Sequence, residues 1–285
     1  MGWPPRKRDY PIAILIPSSV LCESPTLREK TIKIGNIVRA ASIFRADELA
    51  IYDDSSGEYD DDVKVFMDVA SYMLTPPYLK KLIHERKRTL QYVGLLPPLN
   101  IPSHPAEPSD LTVVFRDSVV IKTLEQGAIV EAGLPKPIFV KGLKAKEGSK
   151  VLLRVKARNG RYLAKPVRKT PYYWGLNLRF VKDLGLYLDY LKAKEYSLIG
   201  TSRKGTPILR EMPRLRRLLK RKPAALVFGS PKEGIYEIMD RLDLDPEKRL
   251  DIIVNFIPSQ GVRTVRTEEA LYIILGIVNL FSMGK

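Results

Sequence analysis

Five prolines fall within the twelve residues from Pro97 to Pro108, and no regular element can run through them. Proline locks φ, lacks an amide donor and pushes its predecessor out of the helical region. The stretch reads as an extended connector, and it separates two textures. Ahead of it, short apolar runs alternate with helical periodicities. Behind it, from Leu111 to about Trp174, the runs are TVVF, SVVIKTL, AIVEAG, PIFVKG, KVLLRVKA and RYLAKPV. Gly127, Gly133, Gly142, Gly148 and Gly160 punctuate them at turn-like spacing. About five or six short strands suit a small OB-type barrel. After Trp174 the α/β texture resumes. The expected architecture is a discontinuous α/β domain over residues 1–96 and 175–285, with an all-β OB-like domain inserted at 97–174.

Within the α/β parts, Tyr10 to Pro17 (YPIAILIP) reads as a buried parallel strand. Thr26 and Glu29 are spaced as a capping box, and Leu27, Ile34, Ile37, Val38, Ala41 and Phe44 form a helical stripe. Leu49 to Tyr52 is a second strand, and a helix is expected from about Val63 to Arg88. Further on, helices are expected near Leu178 to Lys192, Pro213 to Arg221, Ile235 to Arg241 and from Glu268. Strands are expected at Tyr196 to Gly200, Ala224 to Gly229 and Asp251 to Ile257.

Charge narrows the partners. Lys and Arg number 48 against 32 acidic residues, a net +16, which points to a polyanion, nucleic acid before anionic membrane. The longest apolar run, Ala270 to Phe281, is too short to span a bilayer. The charged start MGWPPRKRDYP is followed by no apolar h-region of a signal peptide, and the single cysteine, Cys22, fits a reducing compartment. A cytoplasmic protein is expected. With two histidines, His84 and His104, there is no Cys/His zinc site. The acidic run from Asp53 to Asp62 suits a solvated loop and helix N-terminus better than a metal site.

Three glycine-containing loops follow three candidate strands: IGTSRKG, VFGSPKEG and NFIPSQGVRTVRTEE. In open α/β sheets, ligands sit beyond the carboxyl ends of strands. Two loops match G-x-x-x-x-G, but Thr206-Pro207 and Ile235-Tyr236 stand where a phosphate-binding loop needs Lys then Ser or Thr. No G-x-G-x-x-G occurs, which disfavours a dinucleotide site.

Ile34-Gly35-Asn36-Ile37-Val38-Arg39-Ala40-Ala41 resembles the first motif of the SpoU branch of the SPOUT RNA methyltransferases. Ala225 to Ser230 with Glu233-Gly234 resembles the second. Ile257-Pro258, Gly261 and Thr264 to Leu271 resemble the third. With its β-rich insertion, the whole chain resembles the archaeal and eukaryotic members linked to rRNA uridine N3 methylation. Arg263, Arg266 and Glu268 depart from the SpoU pattern, which favours small neutral residues there. The resemblance implies a knotted open parallel sheet with helices on both faces. It also implies a homodimer with sites at the subunit interface, in keeping with a last helix that is apolar all round. S-adenosylmethionine would be held by Gly200 and Thr201 in the first loop and by Gly229, Ser230 and Gly234 in the second. In the third, Ile257, Pro258, Gly261, Thr264, Val265, Thr267 and Ala270 would hold it. No metal is implied.

In that family position Arg39 would serve the chemistry; otherwise it is an ordinary helix-surface arginine. A guanidinium stays protonated, so its part would be to stabilise a developing oxyanion or clamp a phosphate. Glu233 is the best acidic candidate for accepting a proton. For RNA, Arg214, Arg217 and Lys220 stand on a helix with six basic residues in nine, which could also be a solvated face. Arg168, Lys169 and Tyr172 belong to RKTPYYW, which interleaves cations with aromatics for phosphate contact and base stacking. Tyr172 and Trp174 could equally be core at a domain junction. The reading is an S-adenosylmethionine-dependent RNA methyltransferase. Its alternative is a non-catalytic RNA-binding ribosome assembly factor that keeps the fold.

Overall fold

The computed structural model describes residues 3–104, 113–158 and 161–282. Pro105, Pro108, Leu111 and Gly160, used above, lie outside the described residues. In chain order the elements are β1 (Ile12–Pro17), α1 (Leu27–Ile43), β2 (Glu48–Tyr52), α2 (Asp60–Leu74) and α3 (Lys80–Ile83). Next come β3 (Val113–Leu124), β4 (Gly127–Glu131), β5 (Ile138–Lys141), β6 (Lys150–Arg158) and β7 (Arg161–Pro166). Then follow β8 (Asn177–Val181), α4 (Leu184–Ala193), β9 (Ser197–Pro207), α5 (Ile208–Leu219) and β10 (Ala224–Val227). The last are α6 (Ile235–Arg241), α7 (Pro246–Arg249), β11 (Ile252–Asn255) and α8 (Thr267–Ser282). The chain divides into two compact units. One is Met1–Lys7, Tyr72–Arg88 and Pro98–Gly175; the other is Arg8–Ser71, Thr89–Pro97 and Leu176–Lys285.

The larger unit holds a six-stranded sheet in the order β11-β9-β10-β1-β2-β8, every pair parallel. All six residues of β1 are buried, as in a sheet covered on both faces. On one face Ala13, Leu15, Ala50, Tyr52, Ala225 and Val227 cluster with Leu188 and Leu191 of α4 and Ile235, Ile238 and Met239 of α6. On the other, Ile14 lies in register with Leu49 and Leu226, and Leu226 with Ile199, all fully buried. Helix α8 packs against α1 and α5, and their buried side chains lie outside the α4–α6 cluster.

Helix α1 starts at the capping box expected of it. Thr26 Oγ1 accepts from the Glu29 amide at 3.2 Å, and Glu29 Oε2 accepts from the Thr26 amide at 3.0 Å. Such a cap contributes about 1 kcal/mol. Three expectations need correction. The helix from Val63 to Arg88 ends at Leu74 because Pro76 and Pro77 follow; α3 is a separate short turn. Leu178 to Val181 is strand β8, paired with β2, and the helix begins only after the Asp183 side chain caps it through the Leu186 amide at 2.9 Å. The strand expected to end at Gly200 runs on to Pro207. Gly200 pairs with Ile253 and Thr206 with the next residue, Val254, so the glycine segment Thr201 to Gly205 is an excursion between two stretches paired with β11.

The smaller unit holds an antiparallel sheet in the order β5-β4-β3-β6-β7. Edge strands β5 and β7 approach one another, so the sheet is barrel-like and nearly closed. Val120, Ala128, Val130, Val140, Leu153 and Val155 fill its interior. Arg116 is buried among them, donating to the Ala132 and Gly133 carbonyls at 2.9 Å each, with its guanidinium 5.5 Å from the Tyr78 ring centroid. Gly133 sits at φ +65°, and a Cβ there would lie 2.3 Å from Tyr78 Cγ, so only glycine fits.

Candidate functional site

A cavity of about 420 Å³ opens at the carboxyl ends of β9, β10 and β11. The first turns of α8 close it through Thr267, Ala270 and Ile274. Its floor is apolar: Phe228, Val254, Phe256 and Ile274 are buried. Its rim carries Arg203, Lys204, Lys232 and Arg263 beside Glu233 and Glu237. The volume is that of a small-ligand pocket.

The loop after β10 folds back on itself. Ser230 Oγ accepts from the Glu233 amide at 2.9 Å, and the Ser230 amide donates to the Glu233 carbonyl at 2.8 Å. This brings Glu233 and Gly234 against Gly229. A Cβ on Gly229 would lie 2.8 Å from the Glu233 carbonyl oxygen and 2.9 Å from Gly234 C and Cα. The loop after β11 is braced differently. Asn255 donates through Nδ2 to the Arg203 carbonyl at 2.9 Å and accepts from the Ile257 amide at 3.0 Å. Arg203 Nη1 donates to the Arg263 carbonyl at 2.9 Å. Arg203, midway along the glycine-bearing extension of β9, is thereby tied to the end of β11 through its carbonyl and to the loop that follows through its guanidinium.

Both carboxylates on the rim are paired. Lys204 bonds Glu237, whose carboxyl that hydrogen bond holds below the usual range. Arg241 bonds Oε2 of Glu233 and the Asp54 carbonyl. Asp54 is buried, with Oδ1 accepting from Ser18 Oγ at 2.7 Å and Oδ2 from Ser19 Oγ at 2.6 Å. Arg241 thus moors the second loop to the segment after β2. At the foot of α8, Glu268 is buried 3.6 Å from the buried Lys33 of α1. The acidic departure from the SpoU pattern is therefore matched by a cation on the helix that carries the first motif.

Of the residues expected to hold a cofactor, Thr201, Gly229, Ser230, Gly234, Ile257, Thr264, Val265, Thr267 and Ala270 line the cavity. Gly200, Pro258 and Gly261 do not. Gly200 lies in the sheet, where a Cβ would meet Leu250 Cδ1 at 2.8 Å. Pro258 and Gly261 are exposed on the third loop. Glu233 lines the cavity; Arg39 lies outside it, half-buried on α1 and engaged by neighbouring groups. Arg203, Lys204, Glu237, Asn255 and Gln260 line the cavity without having been expected. One signal was available for Glu237: a carboxylate in the first turn after Gly234 belongs at a helix N-terminus. Arg214 donates to the Asp251 carbonyl, whereas Arg217 and Lys220 are exposed. Arg168 and Lys169 are exposed, and Tyr172 meets Phe115 edge to face at 5.9 Å. Among the described residues no three His, Cys, Asp or Glu side chains converge as metal ligands. No helix among them is long and apolar enough to cross a membrane.

Over residues 11–278 the chain matches a family described as "Putative RNA methyltransferase". It is 31% identical to an uncharacterized protein of Halobacterium salinarum, over 94% of this chain and 98% of that protein. It is 29% identical to the 28S rRNA (uridine-N(3))-methyltransferase of Homo sapiens, over 95% of this chain and 78% of that protein. Among solved structures, the SpoU methyltransferase AviRb of Streptomyces viridochromogenes aligns with 98% of this chain at a TM-score of 0.41 and 12% identity. The chain spans 62% of that structure's length.

Proposed function

The chain belongs to this RNA methyltransferase family, and from that premise we propose that it moves a methyl group from S-adenosylmethionine to N3 of a uridine in large-subunit ribosomal RNA. The observation that carries the proposal is the cavity. Three consecutive strand ends and one helix N-terminus build it, from the residues that resemble the second and third family motifs. Its composition fits the cofactor. Phe228, Val254, Phe256, Ile257 and Ile274 can cover an adenine ring, and the mixed rim charges can meet an amino acid's ammonium and carboxylate. When bound, the cofactor supplies an electrophilic methyl on a sulfonium.

The protein's task is then to prepare N3. That nitrogen must lose its imide proton as the N–C bond forms and the S–C bond breaks. Arg241 holds Oε2 of Glu233 and so fixes the carboxylate's direction, while Oε1 keeps its lone pairs. Glu233 is the proposed proton acceptor. The charge left on the uracil carbonyl oxygens suits a guanidinium fork, the role proposed for Arg39. Arg39 lies outside its own chain's cavity, which supports a homodimer in which a second copy supplies it. The exposed Ile273 and Leu280 on α8 are apolar surface for such pairing. The SPOUT knot, the OB identity of the smaller unit as an RNA-binding domain at 97–174, and a cytoplasmic location belong to the same proposal.

Titration calorimetry with S-adenosylmethionine, followed by displacement with S-adenosylhomocysteine, tests the cavity. Binding that the product displaces is expected; absence of heat refutes the enzyme reading. Mass spectrometry of rRNA nucleosides from cells with and without the protein tests the product, with N3-methyluridine as the expected loss.

A further inference from the structure

The outward face of β3, β6 and β7 is built differently from the rest of the smaller unit. Cross-strand register places Phe115 beside Arg154 and Arg154 beside Lys165. The next rungs are Val113–Lys156–Leu163 and Arg158–Arg161. Residues in register share a face, about 5 Å apart. The alternate positions Val114, Leu153, Val155 and Ala164 point into the core, so this set points out. Arg154, Lys156, Arg158, Arg161 and Lys165 are all exposed. Among the described residues none of the five is ion-paired. On β6 and β7 this face carries no carboxylate; on β3 it carries Asp117, which accepts from Trp174 Nε1 at 2.9 Å.

Aromatic rings sit at one end of this cationic ladder. Phe115 packs edge to face with Tyr172 at 5.9 Å and with Trp174 at 6.3 Å. Tyr172 and Trp174 are half-buried, whereas Tyr173 between them is core. Leu163 is 55% exposed amid the cations, where an apolar side chain gains nothing from solvent.

We propose that this face is a platform for single-stranded RNA: bases stack on the Phe115–Tyr172–Trp174 cluster and Leu163, and the backbone tracks Arg154, Lys156, Arg158, Arg161 and Lys165. Cations without ion pairs, on two strands that carry no carboxylate on this face, call for a polyanion. Exposed ring surface beside them calls for unstacked bases, which a duplex does not offer. The inference rests on the methyltransferase reading only in taking RNA as the polyanion.

The test is fluorescence anisotropy of the full chain with an oligouridine of about 12 nucleotides and with a duplex of equal length. Reversal of Arg154, Arg158 and Lys165 to Glu should cut single-strand affinity more than tenfold and lower the slope of log K against log salt by about 2, at ~0.7 per phosphate. Reversal of the exposed Lys141, Lys144 and Lys146 changes net charge equally and should have a much smaller effect. Tyr172→Ala should weaken single-strand binding roughly 5- to 150-fold at an unchanged salt slope. Equal losses from the two triple variants, or duplex bound as tightly as single strand, would overturn the platform. Calorimetry with S-adenosylmethionine on the same samples separates the two readings. Intact cofactor binding with no platform effect rejects this inference alone; loss of cofactor binding in the parent chain rejects the catalytic reading alone.

Discussion

Gly229 and Gly261 are equally conspicuous in sequence, each standing in a glycine loop after a strand, and alanine should separate them sharply. At Gly229 an added Cβ meets only backbone: the Glu233 carbonyl oxygen at 2.8 Å and Gly234 C and Cα at 2.9 Å. None of these can rotate away. The loop must open by several tenths of an ångström, against the 2.8 Å bond from the Ser230 amide to the Glu233 carbonyl. Overpacking of this kind costs about 1–3 kcal/mol. Because the strained segment is the cavity wall itself, most of that cost should appear as lost cofactor affinity, roughly 5- to 150-fold. At Gly261 a Cβ meets nothing within 4 Å, and Gly261→Ala should bind like the parent. Titration calorimetry gives both affinities, and thermal unfolding shows whether Gly229→Ala remains folded. Parent-like affinity in a folded Gly229→Ala would refute the packing argument. So would an equal loss in Gly261→Ala, since it would mean that the exposed stretch of the third loop grips the ligand.

Arg39→Ala should fold and bind S-adenosylmethionine yet lose about 10²–10³ in single-turnover methyl transfer to rRNA, and an unchanged rate would remove Arg39 from the chemistry. Neutralising Arg217 and Lys220 together should flatten the salt dependence of RNA binding by about 1.4; Arg214→Ala should instead lower thermal stability, because Arg214 is already bound to the Asp251 carbonyl. Burial raises the carboxyl of Asp117 above its ordinary value near 3.8, so the folded state holds that proton more tightly than the unfolded chain does. Its contribution is therefore fully present at acid pH and is lost as pH rises from the unfolded to the folded value. Asp117→Asn still accepts from Trp174 and should remove that decline, which denaturant midpoints across the acid range will show. A decline of parental size in the variant would refute the assignment.

Where one local rule decided the outcome, the sequence was legible. Thr26 and Glu29 announced α1, the IAILIP run announced β1, and α6 begins and ends where its pattern does. Where two rules competed, it was not. Leu178 to Lys192 carries apolar residues at helical spacing, but pairing with β2 takes the first few as strand and leaves the helix to start at the Asp183 cap. In the first glycine loop, the two glycines bracket an excursion as their spacing suggests, but Thr206 and Pro207 return to pair with β11, which no turn signal marks. The cavity's glycines were visible as punctuation, but which of them has no room for a side chain depends on a return of the chain that spacing cannot specify. The mooring of Glu233 by Arg241, and the cation ladder that needs β6 and β7 in register, arise from pairings between residues that no linear pattern marks.

The parallel sheet has a consequence for how the chain must be made. Ile12 of β1 pairs with Ala224 of β10, and Glu48 of β2 pairs with Asn177 of β8. At roughly 5–20 residues per second, synthesis delivers β10 some ten to forty seconds after β1. Hairpins such as β3–β4 and β6–β7 close short loops and can form during that wait, whereas the larger unit is built on pairings of high contact order. Until its partners arrive, β1 is an uncharged apolar segment with open edges, the kind that recruits other chains. Vectorial folding of this protein therefore runs against its gene order: the middle matures first, and the opening strand depends on the closing third for its shelter.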